Sequence, residues 1–333
     1  MSGSPNHPAG YRPKRVMVLG ATGTIGRATT AALLRSGHDV TCFLRRPAED
    51  KVPRVPEGST LRFGDVTSKA SLREDGFCGD RFEALVSCLA SRTGSPEDAW
   101  AIDHKATVTA LEIAKASGVG QVVLLSAICV QAPKLAFQHA KLAAERAVIE
   151  SGLIYSIVRP TAFFKSLSGQ IDRVKRGKPF LVFGDGALTS CKPISDRDLG
   201  GYLAGCIADP SRHNRILPIG GPGPAITPMQ QAEHLFGLLG RQPKVKRVPV
   251  ALLDAIIWGL ATLGRVVPSL AAKAELARIG KFYATESMLV LDPATGRYNA
   301  EATPSAGSDT LFDYYAQVIR GDAEVERGDH SVF

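Results

Sequence analysis

The segment Arg15-Val16-Met17-Val18-Leu19-Gly20-Ala21-Thr22-Gly23-Thr24-Ile25-Gly26 decides the fold of this chain. Its first part, Arg15 to Gly20, is an apolar run too short for a helix and reads as a buried strand. The GxxGxxG pattern that follows assigns each glycine a task. Gly20 permits a tight turn, Gly23 lets backbone N–H groups approach a pyrophosphate, and Gly26 lets helix and sheet pack closely. The helix beginning here, from about Ile25 to Ser36, directs the partial positive charge of its N-terminus at the same point. Gly37 stops the helix and a second apolar strand runs from His38 to Arg45. Strand, glycine turn, helix and strand together mark nucleotide binding, where the glycines alone would fit a plain turn. Gly20, Thr22, Gly23, Thr24, Ile25 and Gly26 are the candidate cofactor residues of this loop.

The end of the second strand bears on which cofactor is bound. NAD would call for an acid there, to hold the ribose 2′-hydroxyl. Asp39 stands at the opposite end of the strand, and Arg45 and Arg46 occupy the position instead. Guanidinium forks suit a 2′-phosphate, so NADPH is expected. Asp65, after a short third strand, is placed to accept from the adenine amino group.

Working outward, the order of elements repeats. A helical stretch around Ser68 to Glu74 leads to a strand at Ala84 to Ala90. A helix from Pro96 to Ser117, a strand at Gln121 to Ile128, a helix from Leu135 to Glu150 and a strand at Ile154 to Pro160 follow. The strands lack polar alternation, as in a parallel sheet covered on both faces. With right-handed crossovers this predicts an α/β fold, a doubly wound parallel Rossmann sheet. Leu89, Ala90 and Pro160 stand at strand C-termini, where such sheets bind ligands, and join the cofactor candidates. The expected division is a loose polar arm over 1–13, an NADP-binding unit over 14–160, and a smaller C-terminal substrate region over 161–333. That last region includes RILPIG (Arg215 to Gly220), a strand expected to return to the sheet.

Composition agrees with a globular chain of about two domains, taking roughly 150 residues for each. Of the 333 residues 44% are hydrophobic and 22% charged, which excludes a disordered chain, a collagen-like fibre or a disulfide mini-protein. Forty Lys and Arg against 32 Asp and Glu give +8, but scattered and without interleaved aromatics, which argues against a nucleic-acid binder. The six cysteines form no CxxC pair and no metal-ligand spacing with histidine, so they read as reduced thiols of a cytosolic protein and no metal is assigned. The most apolar segment, Val248 to Ala272, is broken by Asp254, Arg265 and Pro268, and a bilayer span needs about 20 residues. Its helical stripe of Leu252, Leu253, Ile256, Ile257 and Leu260 is expected either to pack in a core or, beside Lys244, Lys246 and Arg247, to cover a ligand or touch an anionic membrane.

These residues resemble the extended and atypical short-chain dehydrogenase/reductase superfamily. Its proton-handling pair is Tyr-xxx-Lys on the helix after the fifth strand. The corresponding stretch here is Phe137-Gln138-His139-Ala140-Lys141: the lysine is present and the tyrosine is a phenylalanine. A phenol protonates a carbonyl oxygen as hydride arrives, so its loss points away from ketone chemistry. More specific strings, SAICVQ through FQHAK and RPTAFFKSLSGQ, resemble the NADPH-dependent divinyl chlorophyllide 8-vinyl reductases, as do FGDGALTSCKPISDRDL and the tail from Thr285 to Val318.

The resemblance implies reduction of the C8 vinyl group of a magnesium-containing divinyl chlorophyllide or protochlorophyllide by NADPH. Lys141 would hold the nicotinamide ribose, and a water positioned by Ser126 or Lys141 is one candidate proton donor. Phe137, Phe163 and Phe164 would face the macrocycle, and Lys165, Arg173, Lys175 or Arg176 would meet its carboxylate. His139 should point away from the face that Phe137 and Lys141 share. The short N-terminal arm, without a plastid-targeting extension, suggests a bacterial member serving bacteriochlorophyll synthesis. Such an enzyme is expected in the cytoplasm, with peripheral contact at the photosynthetic membrane. An isoflavone-reductase-like double-bond reductase and an NADP(H)-sensing protein of the NmrA type remain as alternatives, the second disfavoured by the retained lysine.

Overall fold

A computed structural model describes residues 12–47 and 52–325; the N-terminal arm, apart from Arg12 and Pro13, lies outside the described residues. Strands β1 (Arg15–Leu19), β2 (Asp39–Leu44), β3 (Thr60–Phe63), β4 (Ala84–Ser87), β5 (Gln121–Leu125) and β6 (Ile154–Pro160) form a sheet with a later strand, Arg215–Ile219. The order is β3-β2-β1-β4-β5-β6 and then that strand, with every pairing parallel. This is the doubly wound order.

The unbroken apolar runs have a direct cause. Val16 and Val18 face one core with Val40, Val86 and Val158, while Met17 and Leu19 face another with Leu85, Val122 and Ile157. These four of the five residues of β1 are fully buried, so neither side of the strand tolerates a polar residue there. Helix α1 (Thr24–Arg35) ends in left-handed Gly37, with φ +77°. There the Gly37 N–H donates to Leu34 O (2.9 Å) and the His38 N–H to Leu33 O (3.1 Å), a doubly bonded helix stop that glycine adopts without strain.

Helix α2 covers 69–77 and α3 covers 96–116; both contain a π-helical stretch, which in α3 is Trp100–Ala106. Helix α4 is Ala136–Glu150. Two strands end sooner than expected. β4 stops at Ser87, which leaves Leu89 and Ala90 in the following loop, and β5 stops at Leu125, after which Ile128–Gln131 is a 3-10 turn.

After Pro160 the chain builds a second core around Phe164, Phe180, Phe236, Phe282 and Tyr315. It also returns to the first unit. Arg215–Ile219 pairs with β6, and helix α5 (Asp196–Gly205) lies so close on α1 that a Cβ at Gly200 would stand 2.5 Å from the Ala28 carbonyl carbon. A parallel pair, Phe180–Phe183 with Val245–Val248, and helix α6 (Pro228–Leu238) complete the region with α7 (Val250–Leu263), α8 (Pro268–Thr285) and α9 (Leu311–Arg320).

The apolar segment departs from one expectation. Helix α7 has no buried residue: Leu252 is 49%, Ile256 42% and Trp258 74% exposed, so the stripe does not pack in a core. Helix α7 folds back on α8 at a tight corner, where a Cβ on Gly264 would meet the Ala271 N at 2.7 Å, and α8 is the one that reaches the body, through Ala274 and Phe282. An apolar period locates a helix face; it does not say what that face meets.

Candidate active site

The glycine loop forms a cradle that side chains would fill. Gly20 has φ +77°, and a Cβ there would stand 2.5 Å from the Cys88 carbonyl oxygen; a Cβ on Gly26 would stand 2.1 Å from Gly20 O. Gly23 is the N-cap of α1, makes no side-chain cap, and is followed by a first turn without an acid. The N–H groups of that turn are therefore open to an anion. Two cations stand beside them: Arg27 donates from Nη1 to Thr22 O (2.7 Å) and Lys165 from Nζ to Thr24 Oγ1 (3.1 Å). Thr24, Arg27 and Lys165 also line a cleft of ≈ 490 Å³. The donor set fits a pyrophosphate. Lys165, grouped in the sequence with cations for a substrate carboxylate, reaches this loop. Of that same group, Arg173 donates to Pro179 O and Arg176 to Asp172 O.

Arg45 and Arg46 are exposed immediately after β2. Asp65 follows β3, where its Oδ1 accepts from the Thr67 N–H (2.8 Å) and hydroxyl (2.7 Å). Those bonds and the nearby Arg45 charge hold its carboxyl below the usual carboxylate range. Leu89 is half-buried, Ala90 exposed and Pro160 buried. These cofactor candidates thus stand at the C-terminal edge of the sheet or on the loop and helix turn just beyond it.

On α4, Lys141 turns inward. Its Nζ lies 2.9 Å from Asp103 Oδ1, with side-chain exposures of 14% and 1%. Asp103 sits in the π-helical turn of α3 and also accepts from the Ser91 N–H (3.4 Å), which ties the loop after β4 to the lysine. Its Oδ2 is buried without a hydrogen-bond partner. Sequence reasoning missed Asp103, because Ile102-Asp103-His104-Lys105 reads as a solvated helix face; the one available signal was helical spacing against a lysine some forty positions later, and that is no signal. Ser126 donates its hydroxyl to buried Glu145, one turn along α4 from Lys141, and Glu145 also binds Arg159 Nε (3.0 Å). His139 is exposed and Phe137 half-buried. Phe163 packs against the core of the first unit, and Phe164 is only 5% exposed, with its ring 5.6 Å from Tyr314.

Comparison with known proteins shows the family. A family model described as NAD(P)H-binding matches residues 20–210. The chain is 48% identical over 331 residues to the chloroplastic divinyl chlorophyllide a 8-vinyl-reductase of Oryza sativa subsp. indica, covering 96% of this chain and 82% of that protein. The protein of the same name from Arabidopsis thaliana is 46% identical, with coverage of 94% and 79%. The chain belongs to the divinyl chlorophyllide a 8-vinyl-reductase family. Among solved structures, an NADPH-dependent quinone oxidoreductase of Escherichia coli complexed with NADPH shares the fold, with a TM-score of 0.64 at 18% identity over 91% of this chain and 99% of that one.

In this vinyl reductase family member, helix α8 packs on the segments that follow β4 and β5. A Cβ on Gly94, in the loop after β4, would lie 2.7 Å from Ile279 Cδ1 and 3.5 Å from Leu276 Cδ2. One turn further along α8, Tyr283 Oη lies 4.0 Å from the Cys129 Sγ in the turn after β5. Leu276, Ile279 and Tyr283 follow i, i+3, i+7 spacing, so one stripe of α8 meets both loops. The end of that helix is pinned by Glu286, which binds Lys134 and accepts from Tyr298 Oη (2.7 Å).

Proposed function

We propose that this protein uses NADPH to reduce the C8 vinyl group of a divinyl chlorophyllide a or protochlorophyllide a to ethyl. The observation that carries the reading is 48% identity along 96% of the chain to an enzyme named for that reduction. The site agrees with it in its chemistry. A lysine is held at position 141, while position 137 presents a phenylalanine. A carbonyl reductase needs an acid at the substrate oxygen; a vinyl group conjugated to a macrocycle does not, because the ring system spreads the charge.

When bound, NADPH supplies the hydride. The chain's own residues hold and orient it. The open N–H groups of α1, with Arg27 and Lys165, take the pyrophosphate. Arg45 and Arg46 take the 2′-phosphate. Lys141 donates to the ribose hydroxyls, with Asp103 fixing the direction of its ammonium. Phe137 and the apolar stripe of α8 provide a flat wall for the macrocycle, whose carboxylate and magnesium belong to the substrate.

The same reading extends to a surface. Helix α7 carries Leu252, Ile256, Trp258 and Leu263 outward, and Val266 and Val267 continue the patch. Lys244, Lys246, Arg247 and Arg265 are exposed beside it. Apolar side chains rimmed by cations suit peripheral contact with an anionic membrane, where a greasy pigment partitions. Among the described residues, no helix is long and apolar enough to cross a membrane.

Following NADPH consumption with divinyl and with monovinyl chlorophyllide tests the reading. Consumption with the divinyl pigment alone supports it. Consumption with neither, or equally with both, rejects it; turnover of small conjugated phenylpropanoids instead would favour an isoflavone-reductase-like enzyme.

A further inference from the structure

The mechanism above leaves the proton unassigned. Reducing a vinyl group takes a hydride and a proton, and position 137, where the superfamily keeps a phenol, has none. The structure brings another phenol to the same corner. Cys129 follows β5, and its carbonyl accepts from Gln138 Nε2 (3.1 Å), the neighbour of Phe137. Tyr283 Oη lies 4.0 Å from the Cys129 thiol, and the positive charge of Lys141 reaches that thiol. Ile279, one turn back on α8, shares a hydrophobic cluster with Phe137 and Cys129. Tyr283 is 44% exposed although its hydroxyl reaches the thiol of buried Cys129. A large aromatic with an open ring face and an enclosed polar tip is the form of a residue that lines a cleft for a flat ligand.

We propose that Tyr283 donates the proton that completes the ethyl group, so that the phenol absent from α4 is supplied from α8. The inference rests on the vinyl-reductase reading. The balance is as follows. One vinyl carbon accepts hydride as NADPH becomes NADP+, the vinyl π pair passes to the other carbon and the ring, and that carbon takes the phenolic proton. The O–H bond breaks to leave a tyrosinate, which takes a proton back from solvent once the product leaves the cleft. Vinyl, NADPH and one proton thus become ethyl and NADP+. Enclosure of the hydroxyl, and then the Cys129 thiol, hold the phenol well above its usual range, so it carries its proton throughout neutral pH.

Tyr283→Phe removes one oxygen and keeps the ring that packs edge-on against Phe282 (5.7 Å). In the full chain with NADPH and divinyl chlorophyllide a, kcat should fall about 10²-fold or more, the scale of a lost general acid. The NADPH Kd, and the pigment Kd measured by chlorin fluorescence with NADP+ present, should stay within about twofold. In a second arm, 3-fluorotyrosine at position 283, a more acidic phenol, should move the alkaline limb of the pH–rate profile to lower pH. If the unaltered protein reduces no vinyl group, the functional reading has failed and not this one. If it does, unchanged kcat in Tyr283→Phe overturns the proposal. So does a loss of kcat accompanied by an alkaline limb that fluorination leaves in place.

Discussion

Lys141 Nζ stands 2.9 Å from Asp103 Oδ1, and this buried pair joins α4 to the π-helical turn of α3. Irregular helical turns often mark functional sites, and here the irregularity places a carboxylate beneath the lysine. Removing the lysine alone would leave that carboxylate buried with one oxygen already unpartnered.

Lys141→Met should therefore cost stability as well as turnover. Breaking a buried pair from one side costs about 3–5 kcal/mol, whereas replacing both partners by apolar groups is often close to neutral. Urea unfolding of Lys141→Met and of Lys141→Met/Asp103→Leu tests this. The double variant should recover most of the lost stability, while its turnover stays at least about 10²-fold down. Recovery of activity in the double variant would remove Lys141 from the chemistry.

Cofactor choice should depend on the exposed arginines after β2. Losing a charge-assisted pair costs about 1.5–3 kcal/mol, or roughly 10- to 150-fold in affinity. Titration should show NADPH bound more tightly than NADH by at least that factor, and Arg45→Ala/Arg46→Ala should erase most of the difference. Equal affinities in the unaltered protein would contradict the reading of the β2 end.

How much of this was legible in the sequence varies with the range of the interaction. The strands and the glycine loop could be read because β1 is buried on both faces and because Gly20 and Gly26 sit where a Cβ collides with backbone. Both facts are written in local residue types. Asp103 was not legible, because its meaning comes from Lys141 across a helix pair. The contacts of Ser126 with Glu145 and of Lys165 with Thr24 were likewise not legible, since each joins residues of different elements. Tyr283 lies far from the glycine loop in sequence, in a helix whose placement only the fold reveals.

Thiol chemistry should single out one cysteine. All six are free, and only Cys78 is exposed. Burial pushes Cys88 and Cys191 up to about 12 and Cys206 up to about 11, and it raises Cys42 and Cys129 as well. The native protein at pH 8 should show a single fast-reacting thiol, absent in Cys78→Ser; a second fast thiol would mean that the core opens. The sign for stability follows. The unfolded chain loses these protons near 9.0, before the folded one does, so stability should fall as pH rises from about 9 toward 12.

The α7 surface should respond to lipid charge. At low salt, liposomes containing anionic lipid should carry the protein in flotation, neutral liposomes much less, and Lys244→Gln/Lys246→Gln/Arg247→Gln should release it, since each basic residue near such a surface contributes about 1 kcal/mol. Equal flotation with both liposome types would leave only apolar adhesion.

Transfer of label from NADPH tests the central claim most directly. NADPH deuterated at the transferable C4 position is incubated with the protein and divinyl chlorophyllide a in ordinary water, and the pigment is analysed by mass spectrometry. The account predicts a product heavier by two hydrogens, one of them deuterium located in the C8 ethyl group. A pigment left unreduced, or reduced with no deuterium in that ethyl group, would contradict it.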